Sequence, residues 1–313
     1  PTLFLELYGF TRNVNRDIEV IEDYPEKASV DIGFNILEAD LGAYYGLSDH
    51  SSIRLAFVHG RYTSQIKDFL FNNQQWVSPQ NTYYIGNHFT MTWTHAGVLP
   101  GPSASINPFA GRKIEVKYSR EFNRFFDDFA TNNDFGTLQE VYARYNYHRI
   151  EMDWHEYWPM PWSSRHSLTL NLKGGWVDRP VDSFFNFFAG GLPGLRGYPF
   201  YSIEGRKMLI GRFTYRLPLL SLWQKKFFHL TSDRLYLAAF MDYGNAFNQD
   251  RVDLGAFKKD LGVNLRCSMF SFYGFPTALS LEAAYGLDQV VNQDLRYGKE
   301  WRYYATLLFD FID

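Results

Sequence analysis

One cysteine among 313 residues, Cys267, excludes an internal disulfide and any multi-cysteine metal site. Long hydrophobic runs are missing too. A spanning helix needs roughly 20 consecutive apolar residues, and here Arg, Asp, Lys or Gly interrupts the best candidates every few positions. Nor is charge of one sign in excess: the formal net charge is −3 and the Lys and Arg stand singly, so there is no electrostatic footprint for nucleic acid. The chain opens Pro1-Thr2-Leu3 without an initiator Met or a signal-peptide pattern, so a processed or partial chain is expected. Catalytic motifs are likewise lacking. His155-Glu156-Tyr157-Trp158-Pro159 has no second His and would break a zinc helix at its Pro. Gly101-Pro102-Ser103-Ala104-Ser105 ends in Ser where a nucleophile elbow has Gly. Asn132-Asn133-Asp134-Phe135-Gly136 lacks the distal Glu of a calcium loop. No P-loop or dinucleotide fingerprint occurs. Each of these segments reads as a turn, His88 and His148 read as wall residues rather than ligands, and neither an enzyme nor a cofactor is expected.

Aromatic residues, in contrast, are abundant: 22 Tyr, 29 Phe and 8 Trp make 19% of the chain, yet mean hydropathy is only −0.31. A helical membrane protein cannot combine the two. A transmembrane β-barrel can, because its strands alternate lipid-facing apolar with interior polar residues and carry aromatic girdles. Period-two alternation is the dominant local pattern. Leu261, Val263, Leu265 and Cys267 alternate with Gly262, Asn264, Arg266 and Ser268; Leu279, Leu281, Ala283 and Tyr285 with Ser280, Glu282, Ala284 and Gly286; Trp301 to Phe311 repeats the pattern. Such runs predict about twelve strands, near 2–12, 28–47, 51–68, 80–98, 109–124, 136–157, 164–179, 205–220, 231–245, 257–272, 276–289 and 300–311. Trp93, Trp154, Trp158, Trp162, Trp176, Trp223 and Trp301 fall mostly near strand ends, where indoles anchor at headgroup level. The lipid-facing set is expected to include Leu235, Leu237, Met241, Leu261, Val263, Leu265, Leu279, Leu281, Leu307 and Phe309.

Two segments stand apart. Gly190-Gly191-Leu192-Pro193-Gly194-Leu195-Arg196-Gly197-Tyr198 is a Gly-rich stretch ending in one arginine, and its Gly190, Gly191 and Gly194 would permit tight, positive-φ backbone. Phe240-Met241-Asp242-Tyr243-Gly244 is a strand with a single acid on its polar face. A planar guanidinium can grip a carboxylate through two hydrogen bonds, so Arg196 and Asp242 are expected to form a buried ion pair; the alternative is a surface loop with a solvated Arg.

The two segments resemble the barrel of the BamA-type outer-membrane assembly and two-partner secretion superfamily, the bacterial surface antigen family. There a long extracellular loop carries a Val/Leu-Arg-Gly-Phe/Tyr tetrad into the lumen, and its Arg meets the acid of a Phe-x-Asp-x-Gly strand. The resemblance is specific from about Phe187 to Gly244. It implies a bacterial outer-membrane barrel spanning 1–313, with a lumen-inserted loop at 179–205. The implied surroundings are outer-membrane lipid including lipopolysaccharide, and the implied partners are client or complex proteins. Five strands follow the loop, as in the family, and about seven precede it where a barrel of roughly sixteen has eleven. N-terminal strands and a periplasmic domain are therefore expected upstream, although an even count would also let a smaller barrel close. Arg212, Arg216, Arg266, Glu282, Arg302 and Asp310 would line the lumen as conduit wall, as partners of the loop, or simply as a wet interior. At the C-terminus the pattern departs from the family, with Ile312-Asp313 beyond Phe311 and Ala305 in place of a Gly. The implied function is insertion or translocation of proteins; the alternative is a passive barrel that anchors an upstream domain or joins a larger surface complex. A third alternative is a soluble β-rich binding protein.

Overall fold

In a computed structural model, the structure describes residues 1–18, 28–71, 74–76, 80–99, 106–131, 138–221, 223–272, 274–292 and 295–309. The rejected motifs at 101–105 and 132–136, the proposed lining residue Asp310 and the C-terminal Phe311-Ile312-Asp313 lie outside them. Twelve long strands carry the fold: β1 (Thr2–Ile18), β2 (Ala28–Ser48), β3 (Ser51–Ile66), β4 (Asn81–Val98), β5 (Gly111–Thr131), β6 (Leu138–Met160), β7 (Ser163–Val177), β8 (Lys207–Leu220), β9 (Leu230–Phe247), β10 (Lys258–Ser271), β11 (Phe275–Gly286) and β12 (Trp301–Phe309). They hydrogen-bond in sequence order, and each pair whose register is described is antiparallel. The sequence boundaries fall close to these, except that β1 and β5 run several residues further than the alternation indicated. The only helical turns among the described residues are short 3₁₀ segments in the connections, and no helix is long and apolar enough to cross a membrane.

The strands form because their residues alternate, and the alternation decides which face is buried. On β9 to β11 the buried row carries Asp242, Asp260, Asn264, Ser268 and Ser280, while Met241, Leu261, Val263, Leu265, Leu279 and Leu281 are exposed. β12 continues the pattern with exposed Trp301, Tyr303, Leu307 and Phe309. Polar groups inside and aliphatic side chains outside invert the order of a soluble domain. The arrangement suits a sheet whose outer face meets hydrocarbon.

Two compact units are distinguished. The first comprises residues 1–46, 53–92 and 118–149. Its interior is polar: Glu121 on β5 accepts from Tyr147 (2.6 Å) and Asn123 (2.8 Å), and the His88 ring lies 3.3 Å from the same carboxylate. His148 meets the Tyr118 hydroxyl at 2.8 Å. The second unit comprises 47–52, 93–117 and 150–313 and contains the long β7–β8 connection. That connection is tied down by its own chemistry. Asp182 caps a 3₁₀ turn by accepting from the Phe184 amide (2.9 Å), Phe187–Phe188 pairs with Glu204–Gly205, and Leu195, Tyr198 and Ile203 pack with Ile210, Ala246 and Val290 in a buried cluster.

Candidate functional site

Arg196 sits at the tip of this connection. Its Nε donates to Asp242 Oδ2 at 2.9 Å and its Nη2 to Asp242 Oδ1 at 2.8 Å, a two-pronged grip, while Nη1 reaches Glu282 Oε2 at 2.9 Å. The guanidinium carbon lies 3.3 Å from the centre of the Phe240 ring, so a π face covers the side that no carboxylate occupies. Asp242 is fully buried. Its second cation is Arg212 on β8, whose Nε donates at 3.2 Å and whose Nη2 caps the carbonyls of Leu192 (3.1 Å) and Gly194.

The register explains why so much positive charge converges here. Asp242 on β9 pairs directly with Asp260 on β10, and both are fully buried. Like charges directly opposite destabilise a sheet. The loop answers both: Arg196 takes Asp242, and the Gly197 amide donates to Asp260 Oδ2 at 2.9 Å. Asp260 was not singled out from the sequence. The signal was there, since Asp260-Leu261-Gly262 repeats the acid-x-Gly spacing of Asp242-Tyr243-Gly244 one strand later.

Tyr198 anchors the other side of the tip. Its hydroxyl donates to the carbonyls of Lys259 (2.8 Å) and Asp288 (3.1 Å) and accepts from the Asp288 amide (3.0 Å). Burial, reinforced by Asp288 and Asp260, pushes that hydroxyl up to about 12, so it stays a donor throughout the physiological range. Tyr304 on β12 donates to the Arg196 carbonyl at 2.7 Å. Each of the five strands after the loop thus supplies a contact to it, through Arg212, Asp242, Asp260, Glu282 and Tyr304 in turn.

The glycines do something other than their composition suggested. Among those of the loop only Gly191 has positive φ (+79°). Gly190 and Gly194 serve close approach instead, since a Cβ on either would lie 2.0 Å from a carbonyl oxygen, of Pro199 and Ala189 respectively. Gly197 is pressed against the sheet, where a Cβ would meet Asp260 Cβ and the Gly286 nitrogen at 2.6 Å. Gly197→Ala is expected to lift the tip, costing about 1–3 kcal/mol as overpacking does, read as a lower unfolding midpoint in urea.

Of the remaining lining residues, Arg216 and Arg266 border a cavity beside Arg196. Arg302 is not brought there. It lies near the start of β12, where its Nη2 pairs with Glu300 at 2.5 Å and its register partner is Ala284. Among the described residues no group of three or more His, Cys, Asp or Glu could hold a metal ion.

The model of the Omp85 superfamily domain matches residues 126–286, a span that holds Arg196, Asp242, Asp260 and Glu282 and makes up more than half of the chain. The chain belongs to the Omp85 superfamily. It is similar in structure to BamA from Haemophilus ducreyi lacking POTRA domains 1–3, with a TM-score of 0.58 and 12% identity over 97% of this chain and 59% of that one. It is also similar to CdiB from Acinetobacter baumannii, with a TM-score of 0.56 and 12% identity over 97% of this chain and 47% of that one. This chain therefore spans less than two thirds of the length of either structure. No curated protein matches it. The twelve-strand antiparallel sheet with its apolar outer face is that of an Omp85-type barrel in the bacterial outer membrane.

Proposed function

We propose that the complete protein inserts or translocates other proteins at the outer membrane, without catalytic residues or a cofactor. One observation carries the reading: the segment matched by the Omp85 domain contains a loop whose arginine is held by two carboxylates and whose tip touches every strand that follows it. So many partners make the loop an organiser of β8 to β12 rather than a surface ornament. In this reading the 179–205 loop lies inside the lumen, further strands and a periplasmic domain precede Pro1, and membrane lipid and a client polypeptide are the partners.

Insertion or passage of a client needs backbone groups that can be exchanged in lipid, where each unpaired one is costly. β12 is an edge of the described sheet, and Tyr304 links it to the loop. Tyr304→Phe is expected to remove that link at a cost of about 0.5–1.5 kcal/mol, seen as a small drop in the heat-induced transition of the folded band on a semi-native gel. The functional test uses the complete protein in proteoliposomes. Cysteines on β12 and on the strand it closes against, with Cys267 replaced, should abolish client insertion or passage when oxidised and restore it when reduced. Full activity in the oxidised state would favour a passive anchor for an upstream domain.

A further inference from the structure

Beside the docked loop is a cavity of about 250 Å³ whose wall includes Arg196, Arg212 and Glu282 of the salt-bridge network. Arg216 on β8 and Arg266 on β10 both line it. In register, Arg216 pairs with Ala238 and Ala238 with Asn264, two residues from Arg266, so the small Ala238 methyl leaves room between the two arginines. Arg266 Nη1 donates to Ile106 O (3.1 Å) and Asn107 Oδ1 (3.3 Å), from the connection between β4 and β5. By strand alternation that connection leaves the sheet at the end opposite the Arg196 loop. The chamber is therefore bounded by segments entering from both ends.

Its donors are left over. Arg266 Nε and Thr169 Oγ1 are buried with no hydrogen-bond partner. Among the described residues no side-chain hydrogen bond or ion pair reaches Arg216. The nearby carboxylates are all engaged elsewhere: Glu282 by Arg196, Asp242 by Arg196 and Arg212, and Asp153 by His155 (3.0 Å) and Lys173 (3.6 Å). Arg216 thus has no ion-pair partner and is repelled by Arg266 on the wall of the same chamber, while Glu282, the carboxylate that Arg266 feels, is bonded to Arg196. Both side chains are partly buried, and charge withdrawn from water without a partner of its own is unfavourable.

We propose that Arg216, Arg266 and Thr169 form a binding site for a phosphate group. Two guanidinium forks match the oxygens and charge of a phosphate dianion better than those of a single carboxylate, and the threonine hydroxyl supplies a neutral donor. The group would come either from free phosphate or from the phosphomonoester headgroup of a lipid, and the site does not depend on the transport activity proposed above.

The test uses the complete protein in detergent, with inorganic phosphate exchanged for chloride at constant ionic strength. Phosphate is expected to raise the heat-induced transition saturably. Arg216→Gln and Arg266→Gln should each weaken this response by about tenfold or more, and Arg216→Gln should also raise the transition in chloride, because it removes a charge without an ion-pair partner. Arg302→Gln should leave the response intact. Stabilisation in phosphatidic acid vesicles, absent in phosphatidylcholine vesicles and with inorganic phosphate, would assign the group to a lipid headgroup; stabilisation by inorganic phosphate alone would assign it to the free ion. The proposal is overturned if neither source stabilises, if chloride serves equally, or if the response survives both substitutions. Should the variants fail to fold, the unmodified protein decides: no saturable binding of radiolabelled phosphate in equilibrium dialysis, together with no stabilisation by phosphatidic acid over phosphatidylcholine vesicles, ends the proposal.

Discussion

Asp242→Ala is expected to lower the unfolding free energy by about 3–5 kcal/mol, the cost of removing one partner from a buried ion pair. The substitution leaves Arg196 with Glu282 alone and Arg212 with only the carbonyls of Leu192 and Gly194. Two guanidiniums then share a space from which water is largely excluded. Arg196→Ala has the opposite fault, leaving Asp242 facing Asp260 across the strand pair with Arg212 as the remaining cation. The double variant should cost clearly less than the sum of the two, since each single change strands a charge that the other removes. Asp242→Asn separates charge from shape: the amide fills the same space but cannot accept both prongs of the guanidinium. Urea unfolding in lipid vesicles measures all four proteins. Full additivity, or an unchanged midpoint for Asp242→Ala, would mean that the pair is geometric only.

The strands were legible because a pleated ribbon with one apolar face writes itself at period two, and neither a helix nor a loop mimics that over a dozen residues. Arg196 and Asp242 were legible for a related reason, each being the single charge in an otherwise apolar or glycine-rich segment. What escaped the sequence depends on register. Asp260 matters because it pairs with Asp242, a relation that no one-dimensional spacing fixes. The Phe240 ring reaches the Arg196 guanidinium partly because Gly262 is opposite it, where a Cβ would come within 2.4 Å of the ring. Tyr304 looked like one more aromatic in a crowded strand; only its hydroxyl, 2.7 Å from the Arg196 carbonyl, distinguishes it. Arg302 shares the interior face with Tyr304 but pairs with Glu300 rather than with the loop, and face alone, which is what alternation reads, does not fix the depth at which a side chain acts.

Depth is what the outward row of β10 tests. Leu261, Val263 and Leu265 are exposed on the apolar face, with Lys259 at one end of the same row. If that face meets hydrocarbon, arginine at Val263 or Leu265, either side of the strand's middle, should cost about 2–4 kcal/mol, and much less towards Lys259. Solvent exposure predicts the reverse, since replacing an exposed valine by arginine on a wet surface is nearly neutral. Asn264, between the two, is buried and donates to Ser280 at 2.6 Å; arginine there strains packing, but its cost has no reason to follow the membrane. Bilayer thickness therefore separates the cases. In thin bilayers an arginine at Val263 can snorkel to the interface and its penalty should shrink, whereas the Asn264→Arg penalty should stay constant. Equal tolerance at 263, 264 and 265, in thick and thin bilayers alike, would reject the assignment of inner and outer faces.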